Sequence, residues 1–241
     1  MFKDGQSMQI INKKKFVFRA IVFVFAYGLG IYNAGILESI FYYKIKFIRV
    51  YHILWAFLML NMVKVSIPTL NRHISGGKMF AKYFKEDPGY SKDVLYEYIK
   101  KNNQRALLVA VLWVMLLFSI GFLYYKNIIN KLAIHLIVVL FYFGDIFCIN
   151  VWCPFRTFIV KSKCCNSCRI FNWGYFMNFS PYIFIPSFWT YSLVAMSLIL
   201  LVQWEYLHHK YPYRFYEVSN LYLRCSSCLN GKCHYMNTKI L

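Results

Sequence analysis

The sequence predicts an all-α integral membrane bundle of five spans, with six membrane segments as the alternative. Three observations carry that prediction. Of the 241 residues, 59% are hydrophobic and only 15% charged, against about 45–50% and about 25% for soluble domains. Long runs almost free of charge occur at 20–43, 106–125, 132–152 and 182–204, and about 20 apolar residues of helix cross a hydrocarbon core of about 30 Å. Tyr42, Tyr43, Tyr124, Tyr125, Trp152 and Trp204 fall at the ends of those runs, as an interfacial aromatic belt requires. Helices are expected because lipid offers no partner to backbone polar groups.

The first span, 20–43, is entered from a basic N-terminal stretch, 1–19, holding Lys13, Lys14, Lys15 and Arg19. Its apolar run is too long for a signal peptide, and Glu38, Tyr42 and Tyr43 stand where a small-residue cleavage site belongs, so it reads as a retained span. The second, 50–68, is weaker, with Arg49 and His52 at its start and Lys64 near its end. A polar loop, 64–105, carries nine Lys/Arg and four Asp/Glu, with turn signals at 75–77 and 87–91. Ser91 is placed to cap a helix that continues into the third span, 106–125. The fourth span, 132–152, follows a short turn, and a basic interfacial segment, 153–180, comes next.

Residues 170–204 contain no charge at all. A single helix of that length would run to roughly 52 Å, and Pro181 and Pro186 interrupt it. With five spans, 170–180 lies along the interface and 182–204 crosses. In the alternative, 170–185 and 187–204 form a hairpin. With a cytoplasmic N-terminus, five spans put 18 Lys/Arg inside and 10 outside; the hairpin puts 23 inside and 5 outside. The positive-inside rule leans to the hairpin, whereas two spans so short are mismatched to an average bilayer.

All eight cysteines lie in the last hundred residues. Cys165 and Cys168 form one CxxC pair and Cys225 and Cys228 a second, so that four thiolates could complete a tetrahedral metal site if both pairs share a side. The 56-residue gap between them exceeds the roughly 15–20 residues of a zinc ribbon. A disulfide or redox role for the tail, 207–241, and inert thiols stand as the other readings. Cys148, within a span, reads as a small buried apolar residue.

Glu38, His135 and Asp145 are ionisable residues inside spans, which marks them for a relay or substrate role or, more plainly, a packing ion pair. The basic-aromatic stretch 204–220 reads as docking on lipid headgroups. The charge of +19 forms no single patch, which argues against nucleic acid. No phosphate loop, Walker motif, zinc-protease helix or Ser/His/Asp order is present, and nothing argues for an enzyme or a cofactor.

Four stretches resemble the EXS domain of eukaryotic phosphate exporters, the family that includes the xenotropic and polytropic retrovirus receptor. "FRAIVFVF" (18–25) and "FIRVYHILWAFL" (47–58) resemble the entries to that domain's first two spans. "CPFRTFIVKSK" (153–163) is similar to its N-P-x-K-T-F-x-x-K-S-R element, and "FWTYSLVAMSLILLVQWEY" (188–206) to a segment opening with F-W and closing with E-Y. The resemblance covers roughly 18–206 and defines an EXS-like membrane domain, 20–206. It implies inorganic phosphate as substrate, five spans, a cytoplasmic Lys-Ser-Lys element and a tail on the far side. Where the family carries an Asp and, three residues on, an Asn, this chain has Ser192 and Ala195. On this reading Asp145, Arg156, Lys161, Lys163 and Ser192 are the substrate-pathway candidates. The expected setting is a Golgi, endoplasmic reticulum or plasma membrane, with the lipid bilayer and a second copy or protein partner completing the path. The rival reading is a non-transporting membrane adaptor with a cysteine metal site, and a thiol-redox membrane protein is the third.

Overall fold

The computed structural model describes residues 4–45, 47–71 and 73–224, with backbone alone for 4–12 and 45. It is 74% helical, with almost no strand, and four helices are long and apolar enough to cross a membrane. These are α1 (Asp4–Tyr32), α5 (Lys92–Tyr125), α6 (Lys131–Asn150) and α8 (Phe188–Lys210). Between them lie α2 (Ala34–Tyr42), the two-residue strands β1 (Lys44–Ile45) and β2 (Ile48–Arg49), and the helices α3 (Val50–Ser66), α4 (Ile74–Gly77) and α7 (Trp173–Phe179).

The first apolar run does not form one helix over 20–43. Asn33 adopts an extended backbone (φ −158°) and its side chain accepts from the N–H groups of Gly35 and Ile36. That capping ends α1 and starts α2, because an Asn side chain satisfies orphan donors at a helix start better than a continuing turn does. The apolar stretch of α1 therefore runs from Lys13 to Tyr32. The boundaries of α3 and α6 are close to those expected, whereas α8 starts and ends six residues later than the expected 182–204. Helix α5 starts directly after Ser91, although the serine hydroxyl makes no capping bond. Helix α3 has 17 residues, about 25 Å of rise.

Contacts fix how the helices run. Tyr27 bonds the Leu136 carbonyl and Arg19 reaches Tyr142 and Asp145, so α1 and α6 are antiparallel. Trp55 bonds Ser192 and Gln203 bonds the Ser66 carbonyl, so α3 and α8 are parallel. One end, the lower, gathers the start of α1, residues 67–71 and 73–105, residues 150–170 and the end of α8. The upper end gathers residues 33–45, 47–49, 126–130 and 185–187.

Residues 173–184 settle what the charge-free stretch does. Helix α7 and the 3₁₀ turn Ser180–Phe184 climb through the interior, not along an interface. Gly174 lies against Asp145 near the lower end of α6, and Tyr182 bonds His135 near its upper end. Met177 through Tyr182 are all buried. Their backbone can be irregular because protein, not lipid, surrounds it. At Gly121 an added Cβ would stand 2.6 Å from the Phe184 ring, so a larger residue there would push that ring aside.

Helix α8 then returns to the lower end, and the following residues fold back onto the polar loop. Leu221 N–H donates to the Lys85 carbonyl, Asp87 N–H to the Ser219 carbonyl, and Lys163 pairs with Glu217 at 3.1 Å. The expectation that the chain leaves α8 on the side opposite the Lys-Ser-Lys element is corrected by that ion pair. Within 204–220, Trp204, Phe215 and Tyr216 are buried together with Met79 and Leu95, whereas Tyr206 and Lys210 are exposed.

Candidate functional site

A polar cavity sits at the lower end, between α1, α3, α6, α7 and the residues Leu70, Asn71 and His73, and has a volume of about 320 Å³. Helix α1 contributes Lys15 and Arg19, one turn apart on the same face. Helix α3 contributes Asn61 and Lys64, again at helical spacing, and the loop adds Asn71 and His73. Tyr142, Tyr175 and Asn178 close the wall from α6 and α7. Two lysines and an arginine therefore share one recess.

Only one of them has a carboxylate. Arg19 donates to Asp145 at 2.8 Å and to the Tyr142 carbonyl at 2.9 Å, with its guanidinium carbon 3.8 Å from the Tyr142 ring centre. Among the described residues no carboxylate lies within ion-pair distance of Lys15 or Lys64. Asn178 is 4% exposed, faces the cavity and makes no side-chain hydrogen bond. Burial, aided by Lys15, holds the His73 imidazole below its ordinary pKa, so it is neutral at pH 7. The recess thus offers positive charge and neutral donors, the equipment that replaces the hydration of a small oxyanion.

The sequence candidates are not brought together. Asp145 serves the recess indirectly by holding Arg19. Gly174 allows this, since a Cβ there would lie 2.7 Å from the Asp145 carboxylate oxygen. Arg156 is buried elsewhere, in the π-helical turn Phe155–Val160, with Nη1 3.8 Å from the Cys165 sulfur. Lys161 follows that turn in a left-handed conformation (φ 53°). Lys163 reaches Glu217 on the surface. Ser192 lies toward the upper end of α8, where it accepts from the Trp55 indole at 2.8 Å. His135 and Tyr182 form a neutral contact of 3.1 Å.

The cysteine reading divides. Cys168 belongs to a hydrophobic core with Val109, Trp113 and Val160. Burial pushes the Cys165 thiol up to about 12 and the Cys168 thiol up as well. Among the described residues no three His, Cys, Asp or Glu side chains gather to hold a metal. Cys225 and Cys228, the other half of the four-cysteine site, lie outside the described residues.

A second polar cluster is built for strength. Arg169 makes a two-pronged pair with Glu205 at 2.8 and 2.5 Å, bonds Asn103, and shares Glu205 with the Trp173 indole. Beside it Lys78, fully buried, donates to the carbonyls of Asn166 and Cys168 and sits 5.3 Å from the Trp204 ring centre. Each charge here has its partners, which marks a clamp joining the polar loop to α8.

The recess was missed because its cations looked like span flanks. The signal was there: Lys64 lies inside an apolar helix, which is costly without a purpose. The chain matches no family model, no curated protein and no solved structure. The likeness to EXS-domain exporters rests on the four stretches of sequence alone.

Proposed function

We propose that this protein is a multi-pass membrane protein that takes up a small inorganic oxyanion, phosphate foremost, from the cytoplasmic side in phosphate export or organelle phosphate balance. The observation that carries the reading is the recess of Lys15, Arg19 and Lys64 with a single carboxylate behind it. A phosphate of one to two negative charges needs several cationic or neutral donors, and this recess supplies both. The sequence likeness to phosphate exporters points the same way.

Six passages fit this reading better than five: the four long helices, α3, and the buried path 173–184. Among the described residues the lower end then holds 19 Lys and Arg and the upper end 4, and the positive-inside rule makes the lower end cytoplasmic. The recess opens the site to cytosolic phosphate, and the N-terminus is cytoplasmic as well.

The scatter of Arg156, Lys163 and Ser192 favours a second reading, a non-transporting adaptor that binds the anion without passing it. Efflux from phosphate-loaded proteoliposomes separates the two. Saturable efflux that falls in Lys64→Gln supports transport. Binding without efflux in correctly inserted protein leaves the adaptor.

A further inference from the structure

At the upper end, on the far side of the molecule from the cationic recess, a cavity of about 150 Å³ is walled by aromatic rings. Tyr51 and Trp55 of α3 and Trp189 of α8 form its centre, with Tyr42 and Tyr182 at its sides. Trp55 and Trp189 meet edge to face at 4.9 Å, and Tyr51 meets Trp189 the same way at 6.1 Å. Among the described residues no Lys, Arg, Asp or Glu lines it.

Several of its polar groups are already engaged. The Trp55 indole is bonded to Ser192, Thr190 to the Ile185 carbonyl, and the Tyr182 hydroxyl to His135. Among the described residues no carboxylate lines the wall to hold an N–H-bearing ammonium. A quaternary ammonium brings no N–H donors, and ring faces attract it through their quadrupoles.

An independent feature lies at the cavity's rim. In the β1–β2 pair Lys44 stands directly opposite Arg49. Like charges in that register repel, and neither has a carboxylate partner among the described residues. Arg49 lies 6.0 Å from the centre of the Tyr51 ring, the same ring that faces the cavity. An anionic group bound here would relieve the repulsion, next door to the site for a quaternary cation.

We propose that the ring-walled cavity and the Lys44/Arg49 pair together bind phosphocholine, the ammonium among Tyr51, Trp55 and Trp189 and the phosphate on the two cations. The inference is independent of the anion recess. The group comes either as the headgroup of a choline lipid or as a soluble phosphocholine compound.

The test uses the full chain, purified and exposed to vesicles of equal phosphatidylcholine and phosphatidylethanolamine with identical acyl chains, then analysed by native mass spectrometry. Retention of the choline lipid by about tenfold over the ethanolamine lipid is expected, with displacement by free phosphocholine. Tyr51→Leu and the Lys44→Gln/Arg49→Gln double variant should each lose most of that preference, while Tyr51→Phe keeps it. Size-exclusion profiles check that the variants fold. Binding of free phosphocholine alone, over phosphoethanolamine and with the same variant pattern, would support the site and identify a soluble source. Equal retention of both lipids, with no preference for phosphocholine over phosphoethanolamine, would overturn the proposal.

Discussion

Arg19 and Asp145, 126 residues apart in sequence, meet at 2.8 Å and tie α1 to α6 at the foot of the cationic recess. The two partners are not equivalent. Arg19 also has the Tyr142 carbonyl and ring, whereas Asp145 makes no other hydrogen bond or ion pair among the described residues. Arg19→Gln should therefore destabilise by about 2 kcal/mol and more than Asp145→Asn does, and the double variant should cost less than the sum of the singles. Apparent melting temperatures in detergent measure this. Additive losses would show that the pair does not act as a unit.

Lys78 gives a pH-dependent signature. Burial lowers its pKa from the ordinary 10.5 to about 8. Between those values the unfolded chain holds the proton and the folded chain does not, so stability rises with pH across that window. The gain approaches the order of 3 kcal/mol by its top. Wild type should gain stability from pH 7.5 to about 10 relative to Lys78→Met, in which this titration is absent. Parallel stability profiles would contradict the assignment.

Cys153 should be the reactive thiol among Cys153, Cys165 and Cys168. The Cys148 thiol donates to it, and the Arg156 backbone N–H, 3.4 Å away, and the Arg156 charge add to that, so its pKa is lowered. Iodoacetamide at pH 7 should modify Cys153 ahead of Cys165 and Cys168, which burial keeps protonated. Cys148→Ala should shift the Cys153 rate profile to higher pH. Peptide mapping after timed quenching reads both.

The topology makes a separate demand. Cysteines introduced at Lys82 and Tyr222 should take a membrane-impermeant maleimide from one side of a sealed vesicle, and one at Phe47, 93% exposed, from the other. Labelling of positions 82 and 222 from opposite sides would restore the five-span arrangement.

Much of the bundle was legible in the sequence because apolar run length alone predicts α6 and the end of α5 to within two residues, whereas α8 lies six residues later in the chain than the predicted span at both ends. The break at Asn33 was not, since one capping side chain inside an apolar run leaves no compositional trace. The path 173–184 was half legible. Its prolines and lack of charge signalled an irregular segment, but burial against α6 and α8 depends on partners distant in sequence. The same holds for the recess. Asp145 was singled out as an intramembrane charge, while its partner Arg19 looked like a flank, and the convergence of Lys15, Lys64 and His73 is made by tertiary packing alone. The buried cluster of Trp204, Phe215 and Tyr216 carried a misleading signal, because a basic-aromatic stretch beside a span looks the same whether it faces lipid or folds back.

The most direct measurement is equilibrium binding of radiolabelled phosphate to the purified chain, wild type beside Lys15→Gln and Lys64→Gln. The account predicts saturable binding that weakens about tenfold in each variant, the order expected for one lost charge-assisted hydrogen bond, with wild-type melting profiles retained. Absence of saturable phosphate binding, or binding unchanged in both variants, would contradict the assignment of the recess as an oxyanion site.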